Sequence, residues 1–425
     1  MSRPYQIIVY GGSGLAAQYI IKKLCDHNVL FAVSGRSKQK IAENIKNIPG
    51  SSDIKIIESS LEEIDKVTSQ AQILINCAGP YIFSGEKVVE SCLRNKTHYI
   101  DISGETFFIE KCISAYNMKA EENNVFVINC VGFDSVPADI GAEFLKKETL
   151  KSVKIRGNEN VVIESILVLK DSKINKTTYE SAIHGFALKN ETKKLRRKVV
   201  KPSNTENISE SSKTTKLDSS IENSLTKPYR PKVKKLFYSK VVNAYCSIFP
   251  GTDASVVRRS QNKLIQTKTD THKCHYLAYV KLGGFFKTFM LALFGLMFNT
   301  LASFSFGRYL LLKFPKLFSC GFIKNQRPSS DEISKGSFEF FMDCKVLENN
   351  GNILAEKRMV VCGPDPGYNT TAICVTECAI LLLDLISNDS NLNLKGGVIT
   401  PASLFSQTDI VDRLQLAGLK FEIQQ

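Results

Sequence analysis

"YQIIVYGGSGLAAQYIIKKL", residues 5–24, decides how the chain begins to fold. Residues 5–10 form a short apolar run suited to a buried strand, and from Leu15 onward the apolar residues recur at helical spacing. Between them Gly11, Gly12 and Gly14 make a turn. Strand, glycine turn and helix in that order bring backbone N–H groups and a helix N-terminus to one point, where phosphate oxygens are attracted. Two registers fit: Gly12, Gly14 and Ala17 as GxGxxA, or Gly11, Gly14 and Ala17 as GxxGxxA. In either, Ser13 and Leu15 complete the candidate phosphate-binding set, and small Ala17 lets the helix approach the strand closely.

About twenty residues further on, "VLFAVSGRSKQK" (29–40) reads as a second strand. A site for NAD(H) would place an acid at its end, against the ribose 2′-hydroxyl. Here stand Ser34, Gly35, Arg36 and Ser37, with Lys40 beyond. A guanidinium pairs well with a 2′-phosphate, so Arg36 and Ser37 favour NADP(H) over NAD(H).

The alternation continues with a strand at 54–58, helix at 61–70, strand at 73–77, helix at 85–95, strand at 98–102, helix at 106–122 and strand at 125–129. This pattern predicts an α/β fold built on a Rossmann-type, doubly wound parallel sheet over residues 1–145. In such sheets ligands bind beyond the carboxyl ends of the strands. There "NCAGPYIFSGEKVVESC" (76–92) offers Asn76, Ala78, Gly79 and Pro80 as cofactor contacts, Gly79 for close backbone approach and Pro80 for a stiff turn. Tyr81 is a candidate proton donor, and Asp101 and Glu105 are candidate general acids or bases. A carboxylate at a strand end also serves as a turn or helix cap, and "SGET" (103–106) reads as the start of helix 106–122. Ser135 with Pro137 reads in the same way as a helix start.

Net charge +14 raises the question of nucleic acid. Residues 189–240 carry fifteen Lys or Arg against five acids, so +10 of the excess is local and the remainder is ordinary. The middle of that segment is polar, Ser/Thr-rich and free of aromatics, which predicts a flexible basic insertion over 190–235. Attraction to anionic lipid fits such a cluster better than nucleic acid, because no recognition motif accompanies it. Twelve cysteines lie without a CxxC pair, consistent with a reducing compartment, and the early first strand leaves no room for a secretory signal. His272 and His275 flank Cys274 in an alternating segment that would put neighbours on opposite faces, so no metal site is expected.

Taken with "GGSGLAAQ" (11–18) and "SGRSKQK" (34–40), the phrases "NCAGPYIFSGEKVVESC", "YIDISGE" (99–105) and "GFDSVPAD" (132–139) resemble the saccharopine dehydrogenase-like oxidoreductase family in order and spacing. "TDASVVRRSQ" (252–261), "GRYLLLKFP" (307–315), "GPDPGY" (363–368) and "GGVITPASLFS" (396–406) extend the likeness over nearly the whole chain outside the insertion. The resemblance implies a second mixed α/β domain over 146–365, a segment 366–425 returning to the first domain, and a nicotinamide cofactor. It also implies association of eukaryotic members with membranes or lipid droplets. Related bacterial members include trans-acting enoyl reductases, which points to a hydrophobic, lipid-like substrate. The chain departs from the family at Ala17, usually Gly, and at Gly12, often Ala. Lysine metabolism does not follow, because the residues with which true saccharopine dehydrogenases bind a dicarboxylic amino acid find no match in the middle of this chain.

One further stretch, "TFMLALFGLMFNTLASFSF" (288–306), is nineteen residues without a charge, near the length of a bilayer span. Thirteen are apolar, but four of its five polar residues gather in its second half, and "YLLLKFPKLFSCGF" (309–322) follows close behind. Lys281, Lys287, Arg308, Lys313, Lys316 and Lys324 fringe the pair as snorkelling cations do. If the residues after 325 complete domains begun before 280, both lie on one side of a membrane and a single crossing fails. A one-sided hairpin over 283–322, a buried helix pair and a true span are the three readings, and the hairpin satisfies the topology best. The expectation is thus an NADP(H)-dependent oxidoreductase on the cytosolic face of a membrane or lipid droplet, with mitochondrial association and a homodimer both admissible. The alternative is a catalytically silent nucleotide-binding scaffold at the lipid surface.

Overall fold

The computed structural model describes residues 3–154, 159–172, 176–200, 231–318, 327–387 and 395–424. The opening alternation is β1 (Tyr5–Tyr10), α1 (Leu15–Leu24), β2 (Phe31–Gly35), α2 (Lys38–Ile45), β3 (Lys55–Glu58), α3 (Ile64–Thr68), β4 (Ala71–Asn76), α4 (Tyr81–Arg94), β5 (His98–Asp101), α5 (Thr106–Glu122) and β6 (Phe126–Ile128). Then come α6 (Val136–Leu150), β7 (Asn160–Lys170), α7 (Lys176–Ala187), α8 (Lys189–Val200), β8 (Leu236–Ser239), β9 (Ala244–Ile248), α9 (Asp253–Gln266) and β10 (Lys273–Gly283). The apolar stretch forms α10 (Phe285–Ala302), α11 (Ser305–Lys313) and α12 (Pro315–Phe318). The chain closes with α13 (Ser330–Ser334), β11 (Ser337–Leu347), β12 (Ile353–Pro364), α14 (Thr371–Ser387), β13 (Gly397–Ile399), α15 (Pro401–Phe405), α16 (Ile410–Leu416) and β14 (Lys420–Gln424).

Two sheets result. The first has the order β13-β6-β5-β4-β1-β2-β3, all parallel, with β1 inside the sheet and in register with both β2 (Ile7↔Phe31) and β4 (Ile7↔Ile73). Strand order reverses between β1 and β4, the switch point at which ligands bind in this architecture. The second sheet, β14-β12-β11-β7-β10-β9-β8, is mixed, with β10 parallel to β7 and its other pairs antiparallel. This is the expected α/β class. Strand β13 returns from the far end of the chain to pair with β6, Gly397 opposite Phe126.

One contiguous core runs from Ile7, Val9 and Ile75 on the first sheet, through α6 and α14, to Phe338, Met342 and Val361 on the second. Helix α6 fits because Gly141 is small: a Cβ there would come within 3.2 Å of Val361 and 3.3 Å of Met342. The middle of the predicted insertion, 201–230, lies outside the described residues. Its start does not behave as a flexible segment, since residues 190–200 belong to α8, where Arg196 Nε donates to Glu110 Oε1 at 2.6 Å. Glu110 is 1% exposed and is also paired with Arg259, so burial of that carboxylate fixes the start of the segment.

Candidate active site

The glycine turn and the loop after β4 face each other across the switch point. Gly11 has φ +88°, and a Cβ on it would lie 2.8 Å from the Ala78 nitrogen, while one on Gly12 would lie 2.1 Å from Val33 Cγ1. Neither position admits a side chain. Gly11 and Gly12 amides both donate to the Ser34 carbonyl, at 2.9 and 3.0 Å, and Gly14 N–H closes the turn on Gly11 O at 3.0 Å. Gly14 caps α1 with no side-chain oxygen, so the first amides of that helix have no capping partner and suit an anion. Ser13 and Leu15 stand on this rim, and Ala17 is fully buried beneath it.

A second helix N-terminus at the same place is treated differently. Pro80 precedes α4, and the two amides that follow, of Tyr81 and Ile82, donate to Glu105 Oε1 and Oε2 at 2.9 Å each. That carboxylate starts α4 at Tyr81, four residues ahead of the helix expected from 85. A helix whose opening amides are already satisfied by a carboxylate has little to offer a phosphate. The contrast between α1, uncapped, and α4, capped from 24 residues away, makes the start of α1, beyond the Gly11–Gly14 turn, the better-suited place for a phosphate than Pro80. The backbone cradle thus fits a dinucleotide.

The remaining sequence candidates fall into place around it. Asn76 is fully buried; its Oδ1 accepts from Ala78 N–H at 3.0 Å and its Nδ2 donates to the Tyr99 hydroxyl at 3.1 Å. Gly79 is exposed at the crevice, next to Tyr81 and Thr177. Arg36 is exposed at the end of β2 and, among the described residues, has no salt bridge. Ser37 instead caps α2, its Oγ accepting from Lys40 N–H at 3.3 Å.

Tyr81, Asp101 and Glu105 are brought together, but their polar atoms are engaged in holding the loops. The Tyr81 hydroxyl donates to the Asn76 carbonyl at 2.9 Å, its ring packs on Phe108, and burial lifts its pKa well above the ordinary value. Asp101 accepts from Asn129 Nδ2 at 2.7 Å, Ser103 N–H at 3.0 Å and Cys130 N–H at 3.1 Å. Burial pushes its carboxyl up to about 6 against those hydrogen bonds. Glu105 also accepts from Ser181 Oγ at 2.9 Å, which ties α7 to the crevice rim.

Two residues that sequence reading missed support the glycine turn. Buried Asn44 donates through Nδ2 to Gly12 O at 2.9 Å and Gly14 O at 3.0 Å. Arg327, 283 residues away, donates to Asn44 Oδ1 at 3.0 Å and to Ser13 O at 2.8 Å. Asn44 shares the buried face of α2 with Ile41 and Ile45, and an amide on that apolar stripe was the one available signal. Ser135 sits at the N-cap of α6 ahead of Pro137, as expected, but its hydroxyl meets Thr252 Oγ1 at 2.9 Å instead of capping the helix.

Residues 7–128 match the family model of the saccharopine dehydrogenase NADP binding domain. The chain is 31% identical to the saccharopine dehydrogenase-like oxidoreductase of Bos taurus over 456 residues, 99% of this chain and 97% of the relative. It is 29% identical to the lipid droplet localized protein of Caenorhabditis elegans, covering 100% and 99% of the two chains. Among solved structures, apo saccharopine dehydrogenase (L-Glu forming) from Saccharomyces cerevisiae superposes with a TM-score of 0.53 at 15% identity, over 99% of this chain and all of that one.

Proposed function

The chain belongs to the saccharopine dehydrogenase-like oxidoreductases, with an NADP-binding first domain, and from that premise we propose an NADP(H)-dependent oxidoreductase seated monotopically on a membrane or lipid-droplet surface and acting on a hydrophobic carbonyl or enoyl substrate. When bound, the cofactor would supply a hydride. Gly11–Gly14 and the open start of α1 would hold its phosphates, Arg36 its 2′-phosphate, and Ala78–Pro80 would line its far end. Tyr81, Asp101 and Glu105 would position that loop.

The observation that carries the lipid half of this reading is the exposure of α10 and α11. Phe285, Phe286, Phe289, Leu293, Leu296 and Phe306 are each more than half exposed. Gly307 lets the two helices close on one another, since a Cβ there would overlap Leu301 O, and Arg308 Nη1 donates to Ala302 O at 3.1 Å to finish α10. The pair grips the body through α7, where Tyr179 and Ile183 pack on Phe298, Ala302 and Leu311. The same helix reaches the crevice through Thr177 beside Gly79 and Ser181 on Glu105, so an apolar surface of this extent adjoins the crevice mouth.

Fluorescence titration with NADPH, then hydride consumption with lipid extracts, tests the enzyme reading. Arg36→Ala should weaken NADPH about ten- to a hundred-fold, the scale of charge-assisted hydrogen bonds, and leave NADH almost unchanged. No NADPH binding by the wild type sinks the reading. Tight binding with no consumption of any substrate class replaces it with the silent scaffold. Deleting 283–322 should release the chain from lipid while preserving its fold; aggregation of the truncated chain would instead make the pair part of the core.

A further inference from the structure

The basic segment that the sequence sets apart ends on β8, and β8 is an outer strand of the second sheet. Period-two alternation puts Leu236 and Tyr238 on one face of that strand, and they are 56% and 52% exposed. Tyr245 of β9 stands opposite Tyr238, and Gly283, the last residue of β10, stands opposite Tyr245. Rings continue the line. Tyr238 meets Tyr245 edge-on at 5.4 Å between centroids, and Tyr245 meets Phe285 at 6.3 Å. Phe285 and Phe286 open α10 and are largely exposed. The apolar face of α10 therefore runs on across the β8–β9 hairpin to the edge of the sheet.

Charge sets this surface apart. Residues 231–252, which hold the hairpin, and 271–330, which hold β10 and the apolar helices, contain no aspartate or glutamate. Lys234 is paired with Glu164 of β7 and lies over the Phe237 ring. Lys232, Lys235 and Lys240 are exposed and, among the described residues, form no salt bridge. The Tyr238 hydroxyl donates to Asn243 Oδ1 in the hairpin turn, so its ring is apolar and its tip polar. Exposed leucine, amphipathic tyrosine and unneutralised lysines in one place match the headgroup layer of an anionic membrane. A second copy of this chain would bring lysine to lysine on this face. Depth follows from the backbone: an outer strand keeps unpaired N–H and C=O groups along one side, which hydrocarbon does not accept, whereas α10 satisfies its own.

We propose that the β8–β9 hairpin is a second lipid contact, lying at headgroup depth against anionic phospholipid while α10 enters the acyl layer. This rests on the lipid half of the function proposed above and adds an orientation to it. A helix pair alone leaves the body free to roll about the helix axis. A hairpin beside it, held by Leu236, Tyr238, Lys235 and Lys240, stops the roll and fixes which side of the molecule faces the lipid.

The chain has no tryptophan, so Tyr238→Trp and Leu293→Trp each place a single fluorophore in the full-length protein, both at exposed positions that tolerate it. On vesicles of phosphatidylcholine with phosphatidylserine, Tyr238→Trp emission should be quenched more by a headgroup spin label than by one midway down the acyl chain, and Leu293→Trp the reverse. Lys235→Gln combined with Lys240→Gln should weaken binding to these vesicles about ten- to thirty-fold at low salt, with binding to phosphatidylcholine alone and thermal melting unchanged. Quenching of Leu293→Trp with none of Tyr238→Trp overturns the hairpin contact and leaves the helix pair's standing. Stronger quenching of Tyr238→Trp by the acyl label overturns the depth, and equal loss on neutral vesicles overturns the anionic headgroup. Quenching of neither variant removes the lipid reading itself. Tyr238→Trp emission that changes with protein concentration in the absence of vesicles, together with a doubled mass in sedimentation, gives the face to a second copy and overturns the proposal.

Discussion

Among the described residues, α10 and the helical run Pro366–Ser387 that contains α14 are the two long and apolar enough to cross a membrane, and the fold treats them oppositely. In α10 17% of the apolar window is buried; in the window that includes α14 72% is. Helix α14 packs on α1 and α16 inside the core, and its Glu377 meets His27 Nε2 at 3.3 Å. Helix α10 hangs from α7, α11 and β10, burying Thr288, Phe298 and Ala302 and presenting phenylalanines and leucines outward. Hydropathy is alike in the two, so what separates them is the supply of packing partners, and that depends on topology.

The comparison can be broken at either helix. The largest expected effect is at α14: Leu382→Asp puts an unpartnered charge at a fully buried site, costs more than about 5 kcal/mol, and should yield an insoluble chain. A soluble, normally melting variant would mean that α14 is not core. Next, Leu293→Asp with Leu296→Asp in α10 should cut partitioning onto phospholipid vesicles about a hundred-fold or more, since each leucine contributes about 2 kcal/mol on burial in an apolar phase. Unchanged flotation removes the lipid role of α10. Smaller still, Lys287→Gln and Lys316→Gln should each weaken binding to anionic vesicles about five-fold at low salt, from about 1 kcal/mol per cation, and have no effect on neutral ones. The least effect belongs to Leu296→Ala, 65% exposed, which should shift stability in solution by no more than about 0.5 kcal/mol.

The first sheet was legible because its signals are local. Each strand and helix of the opening alternation announces itself within a dozen residues, and the glycine turn is contiguous. The supports of that turn were not, because Asn44 and Arg327 act across 30 to 314 residues. Glu105 shows the limit most clearly: "SGET" does start α5 at Thr106, yet the Glu105 carboxylate caps α4 instead. Asp253 reads as an ordinary first-turn acid of α9, and only the meeting of α9 with the loop after β6 leaves it buried. Even α10 and α14 could not be sorted by composition, since neither carries its neighbours in its own sequence.

Helix α7 also sets a distance. Thr177 stands beside Gly79 at the crevice rim and Ile183 grips the apolar pair, six residues apart, which is about 9 Å along a helix axis. That is close to the depth of a lipid headgroup layer. With α10 and α11 lying in the outer leaflet of a lipid phase, the crevice would stand one headgroup above the acyl chains. A lipid could then present its headgroup linkage or first carbons to the nicotinamide position without leaving the layer, whereas its terminal methyl could not reach. The twelve residues of α7 would thus choose which end of a lipid can react.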